Sequence, residues 1–450
     1  MSRPPRPAAA ADTALLTDLY ELTMAAAYLA DGNHGQATFE LWVRDLGERR
    51  NFLIAAGLER ALGYLEGLHF DHPALTYLRS QGRFAPEFLD FLAGLRFTGE
   101  VWALPEGTVA FAGEPLLRVT APIIEAQLVE TFLLNAVGFA TLIASEAARV
   151  TLAAGGRPWV EFGARRAHGA DAALDAARSA YLAGAAATSL VLAGREFGIP
   201  VTGTMAHSYV LSHRSEREAF VAFARTFPDD AVLLIDTFDT LAGAAAAANA
   251  ARELAADGIR VAGVRLDSGD LGELAFGVRQ LLNEAGLPGI RILASGGLDE
   301  RAVAALVASG APIDAFGVGT RLVTGGSQPS LDAVYKLVQD ASGPRMKTST
   351  GKATLPGVKQ VHRVEQAGRL VGDTVALAGE AGIPGWPLLR QVMVGGERLD
   401  PPEPLAAARE RCRAGLESLP PPLRSLEATA TAPVQVSAAL QDLARTLAPR

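Results

Sequence analysis

Charged, polar and glycine residues follow directly after short apolar stretches in the middle of the sequence. Each stretch has the length of a β-strand, and each ends in side chains that can bind ions or transfer protons. These endings are residues 161–168, 203–208, 236–237, 265–270, 295–297 and 317–320. Such a repeated placement is typical of an enzyme whose site is built from the ends of several strands.

His207 has the surroundings of a reactive histidine. It follows a predicted strand end by three residues and stands beside Thr204 and Ser208. Asp236, at the end of the next predicted strand, is expected to hold one ring nitrogen and leave the other free as a nucleophile or base. Four other histidines are interpreted as surface or core residues: His34, His69, His72 and His213.

Two glycine-rich turns are candidates for binding phosphate. The residues concerned are Ser295, Gly296, Gly297, Gly317, Gly319 and Thr320. Glycine lets backbone N–H groups approach an anion closely, and the helix predicted after the first turn adds the positive end of its dipole. The alternative is that both are ordinary strand-to-helix turns.

Two arginines and two aspartates complete the charged set. Arg165 and Arg265 stand at strand ends and suit phosphate or carboxylate, although structural ion pairs with Glu161 or Asp267 are an alternative. Asp267 and Asp270 suit a hydrated hard cation, for which two carboxylates in one turn are weak evidence.

The elements that must position these groups alternate regularly between about residues 131 and 340. Strands are predicted at 158–163, 199–204, 231–237, 259–267, 290–297 and 313–320, and helices at 171–194, 241–257, 271–285 and 299–309. Strands that are apolar on both faces and separated by helices predict a buried parallel sheet, whose carboxyl edge collects the polar groups. Periodicity alone leaves a barrel and an open sheet as alternatives.

The composition of the whole chain excludes several classes of protein. Its 450 residues are 49% hydrophobic and 20% charged, which is enough for large cores and unlike a disordered chain. A formal net charge of −8 argues against nucleic acid as a partner. Cys412 is the single cysteine, which excludes an intrachain disulfide and indicates a small packing residue.

Targeting signals are not recognisable in the sequence. Residues 1–14 lack the apolar core of a signal peptide, and no uninterrupted apolar run reaches the ~20 residues of a membrane span. We therefore expect a cytoplasmic protein without a membrane partner.

Several ordered segments resemble the nicotinate phosphoribosyltransferase family along most of the chain. They are residues 17–24 (TDLYELTM), 50–58 (RNFLIAAGL), 161–169 (EFGARRAHG), 203–208 (GTMAHS), 264–271 (VRLDSGDL), 294–300 (ASGGLDE), 316–331 (FGVGTRLVTGGSQPSL) and 351–363 (GKATLPGVKQVHR). Residues 433–437 (PVQVS) are similar to the ending of the family's sequences. Eight matches in the same order make this resemblance highly specific.

The resemblance implies an enzyme of NAD salvage, classed as a ligase. Nicotinate would attack the anomeric carbon of phosphoribosyl pyrophosphate with Mg²⁺ assistance, giving nicotinate mononucleotide and pyrophosphate. ATP, as a co-substrate, would be hydrolysed through a phosphorylated His207. The family's typical state is a homodimer with sites at the subunit interface.

The resemblance also implies a fold and domain limits. It implies an irregular, TIM-like α/β barrel with fewer than eight regular strands, and a second α+β domain made of N- and C-terminal segments. We expect an N-terminal α+β domain over 1–130, the catalytic barrel over 131–345, and a C-terminal segment, 346–450, that packs back on the N-terminal domain.

Roles for single residues follow from the same resemblance. Nicotinate would stack on Phe162 and on Tyr20, the latter from the partner subunit, beside Gly163. Its carboxylate would pair with Arg265, assisted by Thr204. The glycine turns with Arg165 would bind the 5′-phosphate, Asp236 would orient His207, and Asp267 with Asp270 would hold Mg²⁺.

Alternatives and departures from the family pattern stay open at this point. A nicotinamide-using relative and a non-catalytic phosphoribosyl-binding relative are the alternative functions. All four lysines fall within 336–363, which is either a lid over phosphates or a solvated basic face. Arg321 and Leu190 stand where smaller or polar residues are expected.

Overall fold

The computed structural model describes residues 10–349, 352–427, 430 and 433–448. Residues 1–9, which bear on the expected lack of a signal peptide, and Gly351 of the segment 351–363 lie outside the described residues. The helices are α1 (Leu19–Ala30), α2 (Leu58–Gly67), α3 (His72–Ser80), α4 (Pro86–Gly94), α5 (Ile123–Leu128), α6 (Glu130–Ala153), α7 (Ala170–Leu182), α8 (Val191–Phe197), α9 (His207–Leu211), α10 (Glu216–Thr226), α11 (Thr240–Ala256), α12 (Leu271–Glu284), α13 (Glu300–Ala308), α14 (Thr320–Val323), α15 (Leu405–Ser418) and α16 (Ala438–Leu447).

The strands are β1 (Gln36–Val43), β2 (Leu53–Ile54), β3 (Glu100–Ala103), β4 (Val109–Ala110), β5 (Pro115–Pro122), β6 (Trp159–Glu161), β7 (Ala187–Thr188), β8 (Ala231–Leu234), β9 (Val261–Leu266), β10 (Arg291–Ala294), β11 (Ala315–Val318), β12 (Ala333–Asp340), β13 (Gly343–Pro344), β14 (Lys359–Gln366), β15 (Arg369–Leu377), β16 (Trp386–Pro387), β17 (Arg390–Val394), β18 (Glu397–Arg398) and β19 (Val434–Val436). Within the described residues, three short 3₁₀ helices are found at Ala10–Leu15, Ala164–Arg166 and Pro421–Arg424.

The chain divides into two compact units. Residues 146–329 form the central unit, and residues 1–145 together with 330–450 form the composite unit. These limits differ from the predicted limits at 130 and 345. Helix α6 begins at Glu130 and crosses the observed limit at residue 145. Strand β12 pairs with β1, so residues 333–340 belong with the start of the chain.

The composite unit is built on a seven-stranded sheet in the order β13-β12-β1-β5-β3-β17-β18. Strand β1 lies inside this sheet, antiparallel to both β12 and β5, and all of its residues but the first are buried. A second sheet has the order β16-β14-β15-β19. Cys412, on α15, is a buried free thiol, and burial raises its pKa to about 12, as expected for an inert packing residue.

Buried ion pairs occupy part of the basic segment 336–363. The Lys359 ammonium lies 2.9 Å from a Glu40 oxygen, with both side chains buried. The Arg363 guanidinium donates to both carboxylate oxygens of the buried Asp373. Lys359 and Arg363 are therefore core residues, and both the lid and the solvated-face interpretation are wrong for these two positions.

The central unit contains a parallel sheet in the order β7-β6-β11-β10-β9-β8. Strand β8 is wholly buried, and most residues of β9 and β11 are buried too, as is typical of parallel strands separated by helices. The protein is thus a mixed α/β protein with a parallel sheet, as predicted. Strands β9, β10 and β11 are neighbours, so the segments that follow them emerge side by side.

Two predicted elements differ from the observed ones at one edge of this sheet. The predicted strand 199–204 is reduced to a single bridge between Val201 and Thr188. The predicted helix 171–194 is instead α7, the two-residue strand β7 and α8. Strand β7 is too short to show period-two patterning, so its alanine-rich surroundings favoured a helix.

Aspartates start the helices that follow three neighbouring strands. The side chains of Asp239, Asp270 and Asp299 accept backbone hydrogen bonds at the starts of α11, α12 and α13. Such capping satisfies N–H groups that have no partner inside the helix. These helices begin within one residue of their predicted starts because the signal is local.

One described helix is long and apolar enough to span a membrane by length and composition. This is α6, Glu130–Ala153, and 72% of its most apolar window is buried inside the protein. The core helix of a soluble protein has the same properties.

Candidate active site

The carboxyl edge of the central sheet brings together groups that are far apart in sequence. Asp267 follows β9, and Ser295 follows the neighbouring strand β10. The Ser295 hydroxyl donates to Asp267 Oδ1 at 2.5 Å, and its backbone N–H donates to the carbonyl of Leu266 at 2.8 Å. The buried Ser295 therefore fixes one oxygen of the Asp267 carboxylate.

His207 is the first residue of α9 and points one nitrogen at each of two side chains. Its Nδ1 lies 3.2 Å from the Thr237 hydroxyl, and its Nε2 lies 4.0 Å from Asp267 Oδ2. The side chain is 41% exposed, so a ligand can reach the ring. Nδ1 is engaged, whereas Nε2 faces the carboxylate at more than hydrogen-bonding distance.

Asp236 does not orient the histidine as predicted; Thr237 does. Asp236 Oδ2 accepts hydrogen bonds from the Asp267 backbone N–H at 3.0 Å and from the Ser268 hydroxyl at 2.6 Å. Its other oxygen, Oδ1, is buried and has no hydrogen-bond partner in the described residues. Asp236 therefore positions the turn that carries Asp267.

Arg265 connects two of the predicted site segments. Its Nη2 donates to the carbonyl of Met205 at 3.0 Å, and its Nη1 lies 3.6 Å from Asp267 Oδ1. Its buried Nε has no partner among the described residues. Burial lowers the pKa of the guanidinium, the nearby Arg165 acts in the same direction, and Asp267 and Asp236 oppose them. Arginine stays charged nevertheless, so this is a partly desolvated cation that can pair with an anion.

Phe162 lies against a surface that only glycine allows. A Cβ atom at Gly317 would lie 2.6 Å from the Phe162 ring, and one at Gly319 would lie 3.1 Å from the Phe162 carbonyl oxygen. A Cβ atom at Gly163 would lie 2.2 Å from Val323. These glycines hold the half-buried aromatic ring close to the end of β11.

The fully buried Glu161 holds this segment in place, a role that sequence reasoning missed. Its carboxylate accepts from the backbone N–H of Gly163 and, at 2.7 Å, from the Thr188 hydroxyl, and burial raises its pKa. Thr188 accepts in turn from the Leu190 N–H at 3.0 Å. The ion pair between Glu161 and an arginine, weighed as an alternative, is not found in the described residues. The signal in the sequence was a carboxylate at the end of a predicted strand, two residues before Gly163.

The first glycine turn is shaped by its backbone. Gly296 has a φ of +94°, and a Cβ there would lie 1.8 Å from the Asp267 carbonyl oxygen. Gly297 has a φ of +66° and open space around it. In the described part of the chain, the N–H groups of Gly296, Gly297 and Gly319 donate no hydrogen bond. Unpaired N–H groups in adjacent turns are what an anion site requires.

The remaining predicted site residues have separate positions. Arg165 is exposed on the 3₁₀ helix Ala164–Arg166, and the Thr204 hydroxyl donates to the Met205 carbonyl at 3.2 Å. Tyr20 lies in the composite unit, 45% exposed on α1. Burial, and then the Glu130 carboxylate that bonds its hydroxyl, raise the pKa of Tyr20.

Asp270, predicted to assist Asp267 in holding Mg²⁺, caps helix α12 with one of its two carboxylate oxygens. Its Oδ1 accepts from the Glu273 N–H at 3.0 Å. In the described residues no group of three or more histidine, cysteine, aspartate or glutamate side chains could hold a metal ion. Mg²⁺ usually takes one or two carboxylates and completes its shell with water and substrate phosphate, so Asp267 fits this pattern.

These features define an α/β enzyme with a candidate anion site at the carboxyl edge of its parallel sheet. Comparisons with known proteins specify the family. A family model described as the nicotinate phosphoribosyltransferase N-terminal domain matches residues 15–138, and one for the nicotinate phosphoribosyltransferase family matches residues 158–339.

Similar proteins cover nearly the whole chain. A Mycobacterium tuberculosis nicotinate phosphoribosyltransferase, pncB2, is 52% identical over 426 residues, covering 94% of this chain and 91% of the relative. A Bacillus subtilis nicotinate phosphoribosyltransferase is 44% identical, covering 81% and 76%. The crystal structure of human nicotinic acid phosphoribosyltransferase superposes with a TM-score of 0.85 at 33% identity, covering 96% of this chain and all of that one. The chain therefore belongs to the nicotinate phosphoribosyltransferase family.

Proposed function

We propose that the chain transfers the phosphoribosyl group of phosphoribosyl pyrophosphate to nicotinate, with ATP hydrolysis coupled through a phosphohistidine at His207. The products are nicotinate mononucleotide and pyrophosphate. The observation that carries the proposal is the setting of His207, whose Nδ1 is engaged by Thr237 and whose Nε2 faces Asp267 in an accessible site.

The geometry favours Nε2 as the phosphoryl acceptor. In the tautomer with its proton on Nδ1, that N–H donates to the Thr237 hydroxyl and Nε2 keeps its lone pair. Nε2 attacks the terminal phosphorus of ATP, a P–N bond forms, and the P–O bond to ADP breaks. Hydrolysis of the P–N bond then returns the free imidazole and inorganic phosphate.

Asp267 would hold a hydrated Mg²⁺, with help from Asp270. One oxygen of Asp267 is fixed by Ser295, and the side chain is 32% exposed, so the group suits a cation that keeps most of its water. When bound, Mg²⁺ supplies positive charge that offsets repulsion between phosphate groups and the carboxylate. Asp236 acts by holding the Asp267 turn, as its two hydrogen bonds indicate.

The substrates have complementary partners at this edge. Phe162 beside Gly163 offers a flat apolar face for the pyridine ring, and Tyr20 of a partner subunit is proposed for the other face. Arg265, with an unpaired Nε, would pair with the carboxylate of nicotinate, assisted by Thr204. The phosphates would lie on the two glycine turns, which Ser295 and Thr320 extend, beside Arg165.

Transfer of the phosphoribosyl group develops opposite charges. The bond from the anomeric carbon to pyrophosphate breaks while the pyridine nitrogen bonds to that carbon, so the ribose ring becomes positive and the leaving group more negative. Cationic groups and N–H donors facing the pyrophosphate stabilise that change. We further propose an irregular α/β barrel built on the central sheet and a homodimer, as the family resemblance implies, together with a cytoplasmic location.

Labelled ATP tests the proposal directly. The wild-type protein should acquire acid-labile, base-stable phosphate and should convert nicotinate, but not nicotinamide, to the mononucleotide with release of pyrophosphate. His207→Asn should acquire none, whereas His72→Asn, which changes an exposed histidine of the composite unit, should label normally. Equal labelling of His207→Asn and wild type would refute the assignment.

A further inference from the structure

Arg321 forms a loose ion pair beside the first glycine turn. Its Nη1 lies 3.5 Å from Asp299 Oδ2, and the arginine side chain is 58% exposed. Asp299 follows the turn at Gly296 and Gly297 by two residues. We propose that Arg321 leaves Asp299 to bind the sugar phosphate of the substrate, and that Asp299 competes with the ligand for this arginine; the inference rests on the proposed function and deepens it.

The position of Arg321 joins the two glycine turns. It follows Gly319 and Thr320 directly, at the end of β11, and its guanidinium reaches the start of α13, which follows the other turn. The N–H groups of Gly296, Gly297 and Gly319 are unpaired within the described part of the chain. A phosphate bound to these N–H groups would lie within reach of the arginine that stands between them.

The ion pair is not needed to hold the helix. The next residue, Glu300, already anchors α13 through the buried Arg149, with Nη2 and Oε1 3.0 Å apart and both side chains at most 4% exposed. Asp299 Oδ1 caps the helix by accepting from the N–H groups of Arg301 and Ala302. Arg321 therefore contacts only the other oxygen, in an exposed pair of the kind that contributes little stability.

A phosphate is the better partner for this arginine. It carries up to two charges and several acceptor oxygens, and guanidinium groups bind phosphate through two parallel hydrogen bonds. Asp299 offers one oxygen, since the other caps the helix. The exchange therefore replaces one long contact by a stronger, two-point contact and leaves α13 in place.

Two substitutions should change phosphate binding in opposite directions. Arg321→Gln should weaken binding of ribose 5-phosphate, measured by calorimetry, by about tenfold, which is the loss of one charge-assisted contact. It should raise the KM for phosphoribosyl pyrophosphate similarly, with kcat and the KM for nicotinate changed roughly twofold at most, since no reacting atom is touched. Asp299→Asn keeps the cap and removes the competing charge, so it should tighten binding about twofold.

The double variant identifies the mechanism. If Asp299 acts only through Arg321, the Arg321→Gln/Asp299→Asn protein should bind ribose 5-phosphate like Arg321→Gln alone. Arg291→Gln is the matched control, because it removes an exposed arginine at the opposite end of β10 and should bind like wild type. Unfolding midpoints of all variants should agree.

Three results would overturn the proposal. They are equal binding by Arg321→Gln and wild type, weaker binding by both single variants, and no binding of ribose 5-phosphate by the wild type. Failure of the proposed function would give a different result. A wild-type protein that acquires no phosphate on His207 would still show weaker binding of ribose 5-phosphate by Arg321→Gln and tighter binding by Asp299→Asn.

Discussion

At the residue scale, a hydroxyl rather than a carboxylate engages the imidazole of His207. Thr237 is uncharged, so it selects the orientation of the ring without pairing with a positive imidazolium as an aspartate would. The negative charge near the ring is on the other side, at Asp267. The two nitrogens of one side chain thus have different environments, as nucleophilic catalysis requires.

Replacing Thr237 tests this orientation. Thr237→Val should slow labelling of His207 by about tenfold, the effect of losing one hydrogen bond that fixes the reactive group. Thr237→Ser retains the hydroxyl and should label within about twofold of wild type. The measurement is the rate of acid-labile phosphate formation in a single turnover. Equal rates for the valine variant and wild type would show that Thr237 has no part in positioning the ring.

The residue types of the site could be predicted from sequence, but their directions could not. His207, Arg265, Asp267 and the glycines stand at strand ends, which local patterning reveals. The error at Asp236 arose because neighbouring residues in extended chain point to opposite sides, so a shift of one position exchanges Asp236 for Thr237. Only the packed fold determines which of the two meets the ring.

At the scale of elements, the turn after β10 depends on the lack of a side chain at Gly296. A Cβ atom there would lie 1.8 Å from the carbonyl oxygen of Asp267, which is backbone and cannot rotate away. Gly297, one residue later, also has a positive φ but no neighbour within 4 Å. The two positions therefore require glycine for different reasons. Gly296 allows a close approach of backbone atoms, whereas Gly297 needs only the left-handed backbone conformation.

Alanine substitutions at these two positions should therefore differ in their effect on stability. Gly297→Ala should lower the free energy of unfolding by roughly 1–2 kcal/mol, the penalty of a left-handed conformation. Gly296→Ala adds a backbone collision and should lower it by about 3 kcal/mol or more, with displacement of the Asp267 turn. Urea unfolding of both variants measures the difference. Equal losses would mean that the Asp267 carbonyl moves freely.

Helices with local start signals were the elements best predicted from sequence. The starts of α11, α12 and α13 follow from their aspartate caps and their apolar periodicity. The pattern of residues 53–66 predicts one helix, but this segment begins with strand β2 before α2. Strand β2 pairs with β4, more than fifty residues away in the sequence. Such pairing cannot be recognised from the pattern of neighbouring residues alone.

At the scale of the whole molecule, the composite unit buries an unusual pair of acids. Glu114 is fully buried beside Asp373, which is itself bound to Arg363. Burial, and next the neighbouring Asp373 carboxylate, raise the pKa of Glu114 well above 4.5. The folded protein therefore binds a proton at Glu114 more tightly than the unfolded chain does.

The stability of the protein should consequently fall with rising pH through this group. Its contribution is fully present below about 4.5, the ordinary value, and is lost as the pH rises toward the raised pKa, by up to about 1.4 kcal/mol for each pH unit in that window. Glu114→Gln should make the slope smaller by the share of this group and leave the share of other buried acids such as Glu161, whereas Glu87→Gln, at an exposed acid, should keep the full slope. Urea unfolding at a series of pH values is the measurement. A parallel slope in Glu114→Gln and wild type would contradict the assignment.

The division of the chain into two units could not be predicted from local sequence patterns. The alternation of strands and helices identified the central sheet, yet the limit between the units at residue 329 depends on the pairing of β1 with β12. These strands are nearly three hundred residues apart, and each has a pattern that would suit many partners.

The pairing of β1 with β12 also has a consequence for the nascent chain during translation. The ribosome releases β1 early, but its partner β12 emerges only after the intervening 146–329. Until β12 emerges, the edge of β1 that pairs with it keeps unpaired backbone N–H and C=O groups, which favour aggregation. A pause in translation before β12 would therefore lengthen the interval in which the nascent chain is prone to aggregation. Chaperones would be needed most during this interval.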